Sequence, residues 1–74
     1  MRIKVLYVVN NTTKTARFLC DSASAQIAYE GSIINFVDGR DKSGPIDVLQ
    51  GSNIELIEHR PGAADDEEWL RSVS

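Results

Sequence analysis

The sequence predicts an α+β domain, built as a small antiparallel sheet of about five strands with one short helix. Three observations predict this class. Apolar and polar residues alternate in short segments over most of residues 1–61, turn-forming Asn, Gly and Pro residues separate the segments, and an alanine-rich stretch follows the second segment. Short connections favour hairpins, and hence an antiparallel sheet backed by the helix. The alternative is a small all-β barrel in which residues 21–30 extend a strand.

The first two strands are predicted to form a hairpin. Strand 2–9 alternates, with one face formed by Ile3, Val5, Tyr7 and Val9. The residues 10–12 are Asn-Asn-Thr, which tolerate left-handed backbone conformations and therefore favour a tight turn. The partner strand spans residues 13–20, and the side chains of Ala16, Phe18 and Cys20 share one of its faces. Residues of both strands should therefore meet in the core.

Residues 21–30 are predicted to be the helix. Alanines at positions 23, 25 and 28 favour a helix, Asp21 or Ser22 is a suitable N-cap, and Gly31 suits the left-handed stop. Ile27 and Tyr29 also fit the alternation of a strand, and this is the origin of the all-β alternative.

Three further strands are predicted at residues 32–37, 46–50 and 53–59. The first two are separated by a loop at 38–45 that is dense in turn formers. Gly51-Ser52 predicts a tight turn between the last two strands, and Pro61-Gly62 ends the regular structure.

Size and composition indicate one folded domain at residues 1–61, followed by a flexible acidic tail at 62–74. The chain has 74 residues, 42% of them hydrophobic and 26% charged, which is typical of a folded domain. A domain of this size buries about 60% of the surface that its unfolded chain exposes. The longest apolar run, Val5–Val9, is far shorter than the ~20 residues of a membrane span. We expect a cytoplasmic monomer with no membrane contact.

The sequence predicts no catalytic, metal or cofactor site. Cys20 and His59 are the only residues that could pair as nucleophile and base, and the predicted topology places Cys20 in the core and His59 at a strand end. One Cys and one His are too few for a tetrahedral zinc site, and the acids at 65–68 lack the spacing of a calcium loop.

Basic residues are concentrated at the start of the chain. Residues 1–20 contain no acidic residue and four basic residues, namely Arg2, Lys4, Lys14 and Arg17. Together with Arg40 and Lys42 in the predicted 38–45 loop, they are candidate contacts for phosphates or for an acidic protein surface. The alternative is an ordinary solvated face.

The acidic tail is the second candidate contact. Four acids precede Trp69, Leu70 and Val73, whose spacing places them on one face of a helix. The only tryptophan of the chain, with Leu70 beside it, is predicted to anchor a partner. The alternatives are a frayed terminus or a tail that folds back over the sheet.

The chain resembles the small host-takeover regulators of lytic bacteriophages. The features that it shares with them are the short length, the turn-rich β pattern, the single cysteine, the acidic C-terminal run and the opening segment 3–12. The resemblance implies a non-enzymatic protein in the host bacterial cytoplasm that binds bacterial RNA polymerase, inhibits transcription initiation and suppresses termination. Two alternatives remain. One is a nucleic-acid-mimicking inhibitor of a host defence nuclease, and the other is a small nucleic-acid-binding module.

Overall fold

The chain folds into one curled antiparallel sheet, a half-barrel of seven strands, with one short helix. This architecture comes from a computed structural model that describes residues 1–28 and 31–72. The strands are β1 Arg2–Val9, β2 Thr12–Leu19, β3 Ser22–Ala28, β4 Gly31–Val37, β5 Arg40–Asp41, β6 Gly44–Pro45 and β7 Val48–His59, and the helix is α1 Asp66–Arg71. Their order across the sheet is β3-β4-β7-β1-β2-β5-β6. Over these described ranges, no helix is long and apolar enough to cross a membrane.

The predicted first hairpin is confirmed. The backbone of Asn10 and Asn11 has φ values of 50° and 61°, and positive φ at both central positions is the requirement of the two-residue type I′ turn. This turn sets the register in which Val9 lies opposite Thr12 and Ile3 lies opposite Phe18. The twist of such a turn matches the twist of the flanking strands, which explains why an Asn-Asn pair directs a hairpin here.

The predicted helix at 21–30 is wrong, and with it the five-stranded α+β fold. Residues 22–28 form β3, whose Ala23 and Ala25 lie opposite Phe36 and Ile34 of β4. Ala23 also packs against the core. The helical propensity of alanine is worth only tenths of a kcal/mol per residue, so that pairing with a neighbouring strand overrides it. Residues 29 and 30 of this prediction lie outside the described residues.

The tight turn predicted at Gly51-Ser52 is also wrong, because β7 runs through it as one strand of 12 residues. Its first part pairs with β4 through Gly51, and its second part pairs with β1 from Ser52 onwards. Asn53 has a φ of 50°, and the β1–β7 register shifts between Leu6 and Val8. Such an irregularity bends a strand and increases its twist. The bend curls the sheet around its core.

The predicted 38–45 loop contains the short β5–β6 hairpin. The carboxylate Oδ1 of Asp41 accepts hydrogen bonds from the backbone N–H groups of Ser43 (2.7 Å) and Gly44 (3.1 Å). These bonds fix the turn that carries Lys42. Arg40 pairs with Leu19 of β2. The hairpin is thus held beside β2, where it forms one wall of the candidate site.

The core lies on the inner face of the curled sheet. Its buried members come from β1, β2, β4 and the residue that follows β2, and they are Ile3, Val5, Phe18, Cys20, Ile34 and Phe36. The rings of Phe18 and Phe36 are 4.7 Å apart between centroids. This arrangement confirms the predicted inward faces of the first hairpin except at Val9, which is not part of the core cluster.

We expect Gly51→Ala to destabilise the fold by about 1–3 kcal/mol, the usual range for an added methyl group in a packed site. A Cβ at Gly51 would lie 2.9 Å from Cδ2 and 3.2 Å from Cβ of Tyr7. Urea unfolding followed by circular dichroism measures the loss. The matched control is Gly62→Ala, where the nearest atom to the new Cβ is Nη1 of Arg2 at 3.9 Å. Equal midpoints for the two variants would contradict the close packing at the bend.

Candidate anion-binding surface

Helix α1 folds back over the outer face of the sheet, as in one of the alternatives considered for the acidic tail. The side chain of Asp65 caps the helix by accepting a hydrogen bond from the backbone N–H of Glu68 at 2.8 Å. Trp69 and Leu70 form a second buried cluster with Leu19 of β2, and their exposed fractions are only 7% and 4%. The two predicted partner anchors are therefore covered by the protein's own chain.

Cationic side chains surround Trp69. The guanidinium carbon of Arg2 lies 5.5 Å from the ring centroid, and that of Arg17 lies 5.0 Å from it. Both distances are within the range of cation–π attraction. The ring of His59 is 5.9 Å away and tilted. The predicted basic patch thus provides part of the docking site for α1.

Two basic residues of the predicted patch form ion pairs with carboxylates of the C-terminal segment. Arg2 is buried, its Nε lies 3.1 Å from Oδ1 of Asp66, and its Nη2 donates to the carbonyl oxygen of Ala64 at 2.7 Å. Arg40 forms an ion pair with Glu67. We therefore assign Arg2 to the structure of the fold.

Arg17, Lys42 and Arg71 border a cavity between β2, the β5–β6 hairpin and the end of α1. The cavity has a volume of about 210 Å³. Its polar lining is provided by Thr15, Arg17, Asp41, Lys42, Arg71 and Ser72. Three of these six side chains are cations and one is a carboxylate, so the cavity is positively charged.

Arg17 is the lining residue of this cavity that is bonded to α1. Its Nη1 donates to the carbonyl oxygen of Trp69 at 2.9 Å. Its Nε is buried and has no hydrogen-bond acceptor among the described residues. Lys4 lies directly opposite Arg17 in the β1–β2 ladder. Like charges in directly opposed positions destabilise a sheet, so this pair favours an anion as its partner.

The sequence prediction grouped Lys14 with Lys4 and Arg17, and the structure separates it from them. Lys14 lies opposite Tyr7, which packs against the core, whereas Lys4 and Arg17 pair with each other on the outer face. The sequence prediction did not include Arg71, which follows four acidic residues in the C-terminal segment. Its position in the last turn of a helix is a signal that the sequence contained. We call Lys4, Arg17, Lys42 and Arg71 the basic face.

Cys20 and His59 do not form a nucleophile–base pair. Cys20 is buried in the inner core, and this burial raises the pKa of its thiol, which keeps it protonated and unreactive. His59 lies opposite Arg2 on the outer face and approaches Trp69. The sheet therefore separates the two side chains.

Three carboxylates, those of Asp21, Asp38 and Asp47, lie near one another where strands end. Hydrogen bonding with the Asp21 carboxyl is the main cause that raises the pKa of Asp38, and repulsion by Asp21, desolvation and repulsion by Asp47 add to it. No group of three possible metal-ligating side chains occurs within residues 1–28 and 31–72. The neighbouring carboxylates therefore disfavour the charged form of Asp38.

We expect Asp38→Asn to stabilise the protein at pH 7. A raised pKa means that the folded state binds this proton more tightly than the unfolded chain, so stability falls as the pH rises from about 3.8 to the raised pKa. Asn keeps the left-handed backbone of this position, where φ is 50°. Thermal unfolding over a pH series measures the difference, which should vanish in acid. Glu55→Gln, which removes a charge elsewhere, is the control, and an equal gain from it would contradict local repulsion.

Comparisons of the chain with protein-family models, with curated protein sequences and with solved structures found no match.

Proposed function

We propose that this protein is a non-enzymatic binding module that contacts a nucleic-acid strand through its basic face. The observation that carries the proposal is the convergence on one cavity of three cations from β2, the β5–β6 hairpin and the end of α1, with Lys4 opposite Arg17 in the sheet. In the described part of the chain, none of these four cations forms an ion pair with a carboxylate. Nucleic-acid backbones are bound mainly by such Lys and Arg contacts.

The difference between the basic residues that form ion pairs and those that do not supports this proposal. Arg2 and Arg40 pair with the acids Asp66 and Glu67 of α1, and the cavity lining holds three cations against the single carboxylate of Asp41. The same contacts weigh against mimicry of a nucleic acid by the acidic tail, because two of its four carboxylates are paired within the chain. Of the alternatives that the sequence offered, the nucleic-acid-binding module is therefore the one that we favour.

The salt dependence of binding tests the proposal. Anisotropy of a short labelled single strand should report an affinity that falls with salt, with a slope of log K against log salt of about −3 if four phosphates are contacted. Lys42→Gln should weaken binding and make this slope shallower by roughly one contact. Arg60→Gln is the matched control, because Arg60 is an exposed cation beyond the end of β7.

Absence of binding at low salt would overturn the proposal. Equal losses for Lys42→Gln and Arg60→Gln would overturn the assignment to the basic face, since they would show only a response to net charge. Circular dichroism of both variants verifies that the fold is retained.

Bacterial RNA polymerase remains the partner that the sequence resemblance implies, and the resemblance is the support for it. A regulator of initiation and termination works where polymerase meets nucleic acid, so a basic face is compatible with that role. Purified polymerase, with and without sigma factor, should be retained by the immobilised protein and should initiate less in its presence. No retention at low and moderate salt would reject this partner.

A further inference from the structure

We propose that the cavity between Arg17, Lys42 and Arg71 is a site for a phosphate monoester, either the terminal phosphate of a nucleic-acid strand or that of a free mononucleotide. The inference rests on the proposed function, because it names the chemical group that the basic face holds. It is carried by the charge, the shape and the hydrogen-bonding state of the cavity.

The charge of the cavity matches a monoester. Three cations and the carboxylate of Asp41 give a formal charge of +2 in the cavity lining. A phosphate monoester carries about −1.5 to −2 at neutral pH, because its second pKa is about 6. A phosphodiester within a strand carries a single negative charge and would leave one cation unmatched. The balance therefore favours a terminal phosphate over an internal one.

The shape of the cavity leads to the same ligand. It is a concavity of about 210 Å³ bordered by β2, the β5–β6 hairpin and the end of α1. An internal phosphate continues into the chain on both sides and would have to lie across the opening. A terminal phosphate continues on one side only and can enter between the three walls.

Arg17 and the turn that carries Lys42 are held in position before a ligand binds. Arg17 is anchored through Nη1 to the Trp69 carbonyl. A guanidinium that is already ordered in this way loses little conformational freedom when its remaining N–H groups bind an oxygen. The hydrogen bonds to Asp41 fix the turn that carries Lys42. The carbonyl of Glu68 already accepts the hydroxyl proton of Ser72 at 2.9 Å, which leaves the three cations as the principal donors.

Two titrations test the site. In the first, a nucleoside 5′-monophosphate, inorganic phosphate and the unphosphorylated nucleoside are added separately, and Trp69 fluorescence and backbone amide shifts are recorded. We expect both phosphates to shift the amide signals of Arg17 and Lys42 and the nucleoside to leave them unchanged. Binding should weaken as the pH falls below about 6, where the monoester loses one charge.

The second titration compares one oligonucleotide with and without a 5′-phosphate at fixed salt. The phosphorylated strand should bind roughly tenfold more tightly, which corresponds to about 1.4 kcal/mol from the additional charge-assisted contacts. Lys42→Gln should abolish this preference, and Arg60→Gln should keep it.

The outcomes separate the two proposals. If both strands bind with equal affinity, the monoester site is overturned while nucleic-acid binding stands. If neither strand binds, the proposed function fails, whatever the response to inorganic phosphate. A phosphoserine peptide that binds as tightly as the phosphorylated strand would overturn the assignment of the ligand to nucleic acid.

Discussion

Phe18→Ala is expected to leave most of the protein unfolded at room temperature. Phe18 is 1% exposed and packs against the tilted ring of Phe36 in the core. Truncation of a buried phenylalanine typically costs about 3–5 kcal/mol, because both the transfer free energy and the contacts around the new cavity are lost. A domain of this size has a total stability of only about 3–5 kcal/mol. The loss is therefore comparable to the whole free energy of unfolding.

Circular dichroism and urea unfolding measure this result. The control is Val37→Ala on β4, which also truncates an apolar side chain but at a position that is 53% exposed. We expect the control to change stability by no more than about 0.5 kcal/mol. A cooperative transition for Phe18→Ala at the midpoint of Val37→Ala would show that the inner face is not the main source of stability.

Arg2→Ala is expected to detach α1 from the sheet while the strands remain folded. Arg2 connects the helix to β1 through the Asp66 carboxylate, the Ala64 carbonyl and the ring of Trp69. Hydrogen bonds to charged groups contribute about 1.5–3 kcal/mol each, and the pair with Asp66 counts for less because that carboxylate is well exposed. We expect docking of α1 to lose about 2 kcal/mol.

The emission of Trp69 reports the detachment, because an indole that leaves the cluster with Leu19 becomes solvated and its emission shifts to the red. Asp66→Asn is the control, since it removes one charge from an exposed partner and should cost at most about 1 kcal/mol. If Arg2 were only a contact for an external partner, Arg2→Ala would leave the emission of Trp69 unchanged.

The parts of the fold that local sequence determines were predictable. The first hairpin follows from side-chain alternation and from two asparagines that adopt positive φ. Strand β3 was not predictable in this way. Its alanines favour a helix locally, and they adopt a strand because they pair with Phe36 and Ile34 of another strand. The continuity of β7 through Gly51 likewise depends on two different neighbours, β4 and β1, which are distant in sequence.

The site was predictable in residue type and not in arrangement. Lys4, Arg17 and Lys42 were identified by charge alone. The contacts of Arg2 and Arg40, and the position of Arg71 in the cavity lining, depend on the packing of α1 against the sheet. This packing brings together residues that are far apart in sequence, such as Arg2 and Asp66, which are 64 positions apart. Pattern analysis of single segments contains no information on such long-range docking.

The position of β1 has a consequence for synthesis of the protein. β1 is made before the other six strands described and lies inside the sheet, yet its second neighbour β7 begins only at Val48. Until the ribosome has delivered that strand, one edge of the β1–β2 hairpin has no hydrogen-bonding partner in the nascent chain. Unpaired edges and late long-range pairings slow folding and favour aggregation. Slower translation before residue 48 should therefore lengthen the interval in which nascent chains are vulnerable to association and to chaperone capture.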